Sequence, residues 1–299
     1  MPEASNRAVL LVNCHSRRGM ELHRQALQEL ERQGVEVEVA AACSTSEQMT
    51  SEAKKAVASC VPVLIVGGGD GTLNAVANVT AGTDTALGVL PLGTGNAFAR
   101  DLQIGPSLEH ACRVIAGGRA ERVDVGIANG KLFLNVVTIG LTVRIAQSLQ
   151  ESLKRRFGKL VYVGAVLKAL KQIKPFHVTL ETENGTVEFE TLQVVIGNGK
   201  YHAGPFRLSP TAGLTTGKLA LYALERSDIA GLLKLAVHLP AGTQGGLPEV
   251  HSESTVGGML ITRPSLPIVV DGEVGLRTPL RFTTHPHGLL VIVPRAFRG

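Results

Sequence analysis

Along the first part of the chain, short apolar runs alternate with stretches whose apolar positions recur at helical spacing. Residues 8–12, 63–66 and 86–90 are apolar runs that read as buried strands. Residues 20–33, a stretch ending near 59, residues 73–79 and residues 106–116 read as helices with one apolar face. Gly34 stops the first helix and Gly117-Gly118 the last. Residues 35–42 alternate apolar and acidic side chains, as an outer strand does. Strands alternating with helices predict a parallel sheet covered on both faces, a three-layer α/β unit.

From Arg122 onward the helical spacing gives way to strands. They are expected at 132–139, 176–183, 186–196, 217–224, 256–262, 266–270, 276–284 and 289–293, with Asn184-Gly185 as a hairpin turn. The fold class expected is α/β plus β: an N-terminal parallel α/β domain and a second, largely antiparallel β-sandwich-like domain. The expected boundaries are 1–126 for the first domain and 127–286 for the second. A helical insertion near 141–173 interrupts the β domain. It sets Lys154, Arg155, Arg156, Lys159, Lys168 and Lys171 among apolar residues. This stretch reads either as a solvated face or as a surface drawn to anionic lipid.

Composition narrows the classes. A length of 299 residues suggests about two domains, and 44% hydrophobic against 18% charged residues implies a large core. The net charge of +5 suits a nucleotide or an anionic membrane surface. With no Trp and three Tyr, a stacking surface for single-stranded nucleic acid is not expected. Cys14, Cys43, Cys60 and Cys112 form no CxxC and read as reduced thiols of a cytoplasmic protein. No signal peptide is expected, and no apolar run reaches the roughly 18 residues of a spanning helix.

The candidate chemistry lies in two glycine-rich turns. Gly67-Gly68-Gly69-Asp70-Gly71-Thr72 follows one buried strand and opens a helix. Converging backbone N–H groups, the positive helix end and the missing Cβ atoms make an anion site. Asp70 would repel phosphate unless Mg²⁺ lies between them. The bland alternative is a βα turn with Asp70 as N-cap. Leu92-Gly93-Thr94-Gly95-Asn96 follows the next strand, so both turns reach one sheet edge.

GGGDGT followed by PLGTGNAFARDL resembles the catalytic domain of the diacylglycerol kinase and sphingosine kinase group of lipid kinases. The resemblance runs from Asn13 through Glu273, and it implies that a C-terminal strand at about 287–299 returns to complete the first domain and that the active site lies in the cleft between the two domains. It implies transfer of the γ-phosphoryl group of ATP to the hydroxyl of a diacylglycerol- or sphingoid-like lipid. Gly68, Gly69, Gly71, Thr72, Thr94 and Asn96 would then cradle the nucleotide, joined by Asn13 and Thr45 from the two preceding strand ends. Asp70 and Asp124, the latter in a DVG segment that crosses between domains, would hold Mg²⁺. Within Asp271-Gly272-Glu273 the resemblance makes Glu273 the first choice of proton acceptor and Asp271 the second. Residues 197–205 resemble a loop near the lipid-facing cleft, whereas His285-Pro286-His287 reads as surface loop.

The partners so implied are the lipid, an anionic membrane surface visited transiently at its inner face and, left open, a second copy of the chain. Alternative readings are a soluble kinase of the NAD kinase type and a non-catalytic lipid-binding protein. One departure from the family is plain. Thr215-Thr216-Gly217-Lys218-Leu219-Ala220 stands where many bacterial members carry carboxylates for a structural Mg²⁺, and Ala97 replaces an aspartate found in some. The β domain is therefore expected to fold without metal.

Overall fold

The computed structural model describes residues 7–14, 17–140, 174–202, 206–209, 212–225, 238, 243, 246–247 and 250–299. The basic stretch near 141–173 lies outside them.

The first half runs β1 (Arg7–Asn13), α1 (Arg17–Arg32), β2 (Glu36–Cys43), α2 (Ser46–Ala58), β3 (Val63–Gly68), α3 (Asp70–Thr80), β4 (Ala86–Pro91), α4 (Ala97–Asp101) and α5 (Leu108–Gly117). Its strands lie in the order β4-β3-β1-β2, all parallel. From β1 the chain steps one way to β2; from β3 it steps the other way to β4. Right-handed crossovers then place α1 and α3 on opposite faces. Accordingly α1 packs with α5, and α2 with α3. Both faces being covered, Leu10, Leu11, Leu64, Ile65 and Leu87 are fully buried. The reversal of direction falls between β1 and β3, and the C-terminal ends of strands at such a point form a ligand crevice.

The second half contributes β5 (Arg119–Ala128), β6 (Lys131–Phe133), β7 (Val136–Gly140), β8 (Phe176–Thr182), β9 (Gly185–Gly197), β10 (Tyr201–His202), β11 (Phe206–Arg207), β12 (Leu219–Glu225), β13 (Val250–Thr255), β14 (Gly257–Arg263), β15 (Pro267–Val270), β16 (Glu273–Arg277) and β17 (Leu280–Val293). These strands pair antiparallel among themselves around a core that includes Phe133, Ile139, Ile196 and Phe282. The N-terminal parallel sheet and the C-terminal β-rich part are thus both present.

Strand β17 joins them. It pairs antiparallel with β14 and β5, and parallel with β4 at Val291 and Leu87. The sequence suggested two strands here, separated by a surface loop at His285-Pro286-His287. Instead the three residues form an irregularity inside one 14-residue strand, where the β5 register shifts between His285 and Leu289. The N–H of His287 is not lost to solvent: it donates to Asp124. The expected strand at 132–139 is divided into β6 and β7, because Leu134 and Asn135 turn their N–H groups to Asp271. The pattern also missed β13, whose half-buried middle positions carry His251 and Glu253 rather than apolar residues. Among the described residues no helix is long and apolar enough to cross a membrane.

Candidate active site

The two glycine turns touch at the C-terminal edge of β3 and β4. A Cβ on Gly93 would overlap Gly69 Cα, so the close approach requires glycine. A Cβ on Gly68 would come 2.6 Å from Thr72 Cβ. Helix α3 begins at Asp70 with Gly69 as N-cap, and no side chain caps it. Its first N–H groups are left for a ligand.

Asp70 is partly exposed, and its Oδ1 accepts from Phe98 N–H at 3.2 Å. The carboxylate therefore ties the first turn to α4 behind the second. Asn13, at the end of β1, donates through Nδ2 to Thr72 Oγ1 at 3.0 Å. Asn13, Gly68, Gly69, Asp70, Gly71 and Thr72 are thus neighbours, and Thr94 is exposed on the second turn. Thr45, at the end of β2, is the N-cap of α2 and accepts from Gln48 N–H at 3.2 Å. Asn96, placed in the nucleotide cradle by the resemblance, turns its side chain into the loop. Its Oδ1 accepts from Gly93 N–H, while Nδ2 donates to the Pro91 and Gly93 carbonyls. With φ of 49° it shapes the turn from within and offers its side chain to the loop itself. Beside the second turn opens a cavity of about 570 Å³, lined by Leu22, Leu92, Thr94, Arg100 and Ile104 among others.

Two other carboxylates hold backbone. Asp271 accepts from the N–H groups of Leu134, Asn135 and Val136 at 2.7–3.0 Å. Burial pushes its carboxyl up to about 6 against those lowering bonds, with nearby Asp70 also raising it. Glu273, two residues on, points to solvent and pairs with Lys131 Nζ at 2.8 Å. Asp124 is 1% exposed; Oδ2 accepts from Gly217 N–H and Oδ1 from His287 N–H. It was expected to face the cleft and share Mg²⁺ with Asp70. Here it fastens the turn before β12 to β17.

The family description of the diacylglycerol kinase catalytic domain matches residues 7–128, and that of the YegS C-terminal NAD kinase beta sandwich-like domain matches residues 135–293. A Staphylococcus aureus (strain bovine RF122 / ET3-1) protein named diacylglycerol kinase is 31% identical over 271 residues, covering 90% of this chain and 86% of the relative. The chain belongs to the diacylglycerol kinase family. A Staphylococcus saprophyticus relative of the same name is 29% identical over 287 residues and covers 94% of each chain. A crystal structure of a diacylglycerol kinase from Bacillus anthracis str. Sterne has a TM-score of 0.76 at 18% identity, covering 99% of both chains. This last likeness shows the fold.

Kinase domains of the diacylglycerol kinase family imply ATP with a divalent metal, and the residues fit both. The uncapped start of α3 and the Cβ-free contact of the turns suit phosphate. Asp70 is the acid that opens on this space, and a Cβ on Gly95 would come within 3.0 Å of its Oδ2. Among the described residues no group of three or more His, Cys, Asp or Glu could enclose a metal. A cation at Asp70 would accordingly keep waters and phosphate oxygens as its other ligands, as Mg²⁺ commonly does.

Sequence reasoning passed over Asp101 and Asn198. Asp101 stands on the buried stripe of α4 with Ala97 and Phe98, and a carboxylate on such a stripe was the available signal. Asn198 donates to the carbonyls of Asp124 and Leu134 from full burial.

Proposed function

We propose that the protein transfers the γ-phosphoryl group of ATP to the hydroxyl of a membrane lipid of the diacylglycerol or sphingoid class. The observation that carries this reading is the contact of two glycine turns around Asp70 at an uncapped helix start. The amides of Gly71 and Thr72 would hold phosphate oxygens. Asn13 fixes the Thr72 hydroxyl, and Thr45 marks the outer end of the nucleotide crevice. Asp70 would hold Mg²⁺, which would supply charge neutralisation to the phosphates.

Phosphoryl transfer needs positioning and charge balance more than covalent help. As the lipid oxygen forms its bond to phosphorus and the bond to the ADP oxygen breaks, the hydroxyl proton must leave. Glu273 is the assigned acceptor, because its carboxylate is accessible beside Lys131. Asp271, enclosed by backbone donors, sets the β6–β7 junction that Glu273 stands next to. A lipid acceptor implies a transient visit to an anionic membrane surface from the cytoplasmic side, in keeping with the net charge of +5.

The test is incubation with labelled ATP and Mg²⁺ over vesicles that carry diacylglycerol or sphingosine, with NAD as a parallel acceptor. Label in chloroform-soluble phospholipid is the expected result. Label in NADP would transfer the reading to a soluble kinase. No label in any acceptor, with nucleotide still bound, would favour a non-catalytic lipid-binding role.

A further inference from the structure

Helix α4 is a short strut with one end in each half of the cleft. At its start, the Phe98 N–H is held by Asp70 in the first glycine turn. At its end, Asp101 reaches the segment between β9 and β10. Its Oδ1 accepts from Lys200 N–H at 2.8 Å, and its Oδ2 accepts from Tyr201 N–H at 3.3 Å. The carboxylate lies flat on that backbone because residue 199 is glycine; a Cβ there would overlap Asp101. The Arg100 guanidinium sits 5.7 Å above the Tyr201 ring and reinforces the junction. On its other side the segment is anchored by Asn198 to the strands that cross between the halves.

We infer that Asp101 is a positioning residue, which sets the 198–202 segment, and with it the lipid acceptor, against the nucleotide held at Asp70. The inference rests on the lipid kinase reading and deepens it. An acid that merely filled space here would be a poor choice. Asp101 is only 7% exposed, and its burial costs what an apolar residue would not. What the carboxylate provides is two acceptors at a fixed spacing, matched to two successive N–H groups. An apolar side chain would leave both donors unpaired and the segment free to shift. Displacement of a reacting group by about 1 Å costs on the order of 100-fold in rate. The coupling is physical and short: Asp70, the α4 backbone, Asp101, the 199–201 backbone.

The test compares wild type with Asp101→Asn, Asp101→Ala and Gly199→Ala. Expected is a fall of about 10- to 100-fold in kcat/KM for the lipid, with ADP affinity by direct titration held within about threefold. Asparagine keeps one acceptor of the two, so Asp101→Asn should fall between wild type and Asp101→Ala. Adding Gly199→Ala to Asp101→Ala should cost little more, since the two act on one contact. Unchanged lipid kinetics would overturn the inference, as would equal losses in ADP affinity and lipid kinetics alongside a lowered Tm. If wild type turns over no lipid, the kinase reading falls, and hydrogen exchange then decides about Asp101. ADP should slow exchange at residues 199–201 in wild type but not in Asp101→Ala. Equal slowing in both would overturn the coupling.

Discussion

Asp70 and the pair Asp271–Glu273 make the sharpest single-residue predictions. Asp70→Asn keeps the shape of the turn and removes the charge a metal would need. Turnover should vanish while the melting curve stays near that of wild type; near-normal kcat in folded protein would refute the assignment. The two acids of the DGE run should separate by phenotype. Glu273→Gln, at an accessible site, should lower kcat by about 10²–10⁴-fold with little change in Tm or ATP affinity. Asp271→Asn removes an acceptor from three buried N–H groups, so its main effect should be on Tm. If Asp271→Asn loses rate with Tm intact, the roles are exchanged. The sequence made these acids visible but not their use. Asp70, Asp124 and Asp271 look alike in a motif, since each lies within two residues of a glycine. Which backbone amides fill a carboxylate depends on strands distant in the chain, such as Gly217 and His287 around Asp124.

The contact between the glycine turns is a property of two loops held by adjacent strands β3 and β4. Gly93→Ala should force them apart, because the added methyl meets the backbone of Gly69 rather than a side chain that could swing away. Nucleotide affinity should weaken on the order of tenfold, about 1.4 kcal/mol, as read by ADP titration. Gly117→Ala, at the end of α5 and away from the turns, has open space at its Cβ and serves as the control. An equal effect from both would mean that the approach of the turns is irrelevant to binding. The turns themselves were legible, because an apolar strand, glycines and a helical pattern follow in direct succession. Helix α4 was less so. Five residues are too few for a period to emerge, and its importance comes from what its two ends hold.

The whole protein should show an unusual pH response. Asp101 is pushed up to about 7 and Asp271 to about 6, chiefly by burial. An unfolded aspartate titrates near 3.9. Between these values the folded state binds more protons than the unfolded chain. The stability contributed by both groups is therefore full below about pH 4 and lost as the pH rises through 6 and 7. Urea midpoints should fall from pH 5 to pH 8, and Asp101→Asn should reduce that fall. Equal falls in both proteins would show that Asp101 does not titrate in this range. The two-part architecture was readable from the switch in periodicity at Arg122. The continuity of β17 was not, since Pro286 and two histidines interrupt its apolar pattern and mimic a loop. Only pairing with β5 on both sides of the irregularity keeps the strand whole.

That strand has a consequence for biosynthesis. Translation delivers β1 through β4 early, yet the free edge of β4 meets its neighbour only when β17 emerges, almost two hundred residues later. Until then the nascent N-terminal half exposes an open parallel edge, a site for unwanted pairing with other chains. Assembly must therefore close from a late-made segment back onto an early one, a long-range contact that slows folding. A fragment ending before Leu280 should pellet at concentrations where the full chain stays dispersed. Supplying residues 280–293 as a separate peptide should recover part of it, and a fully dispersed, cooperatively melting fragment would show that the early half needs no such closure.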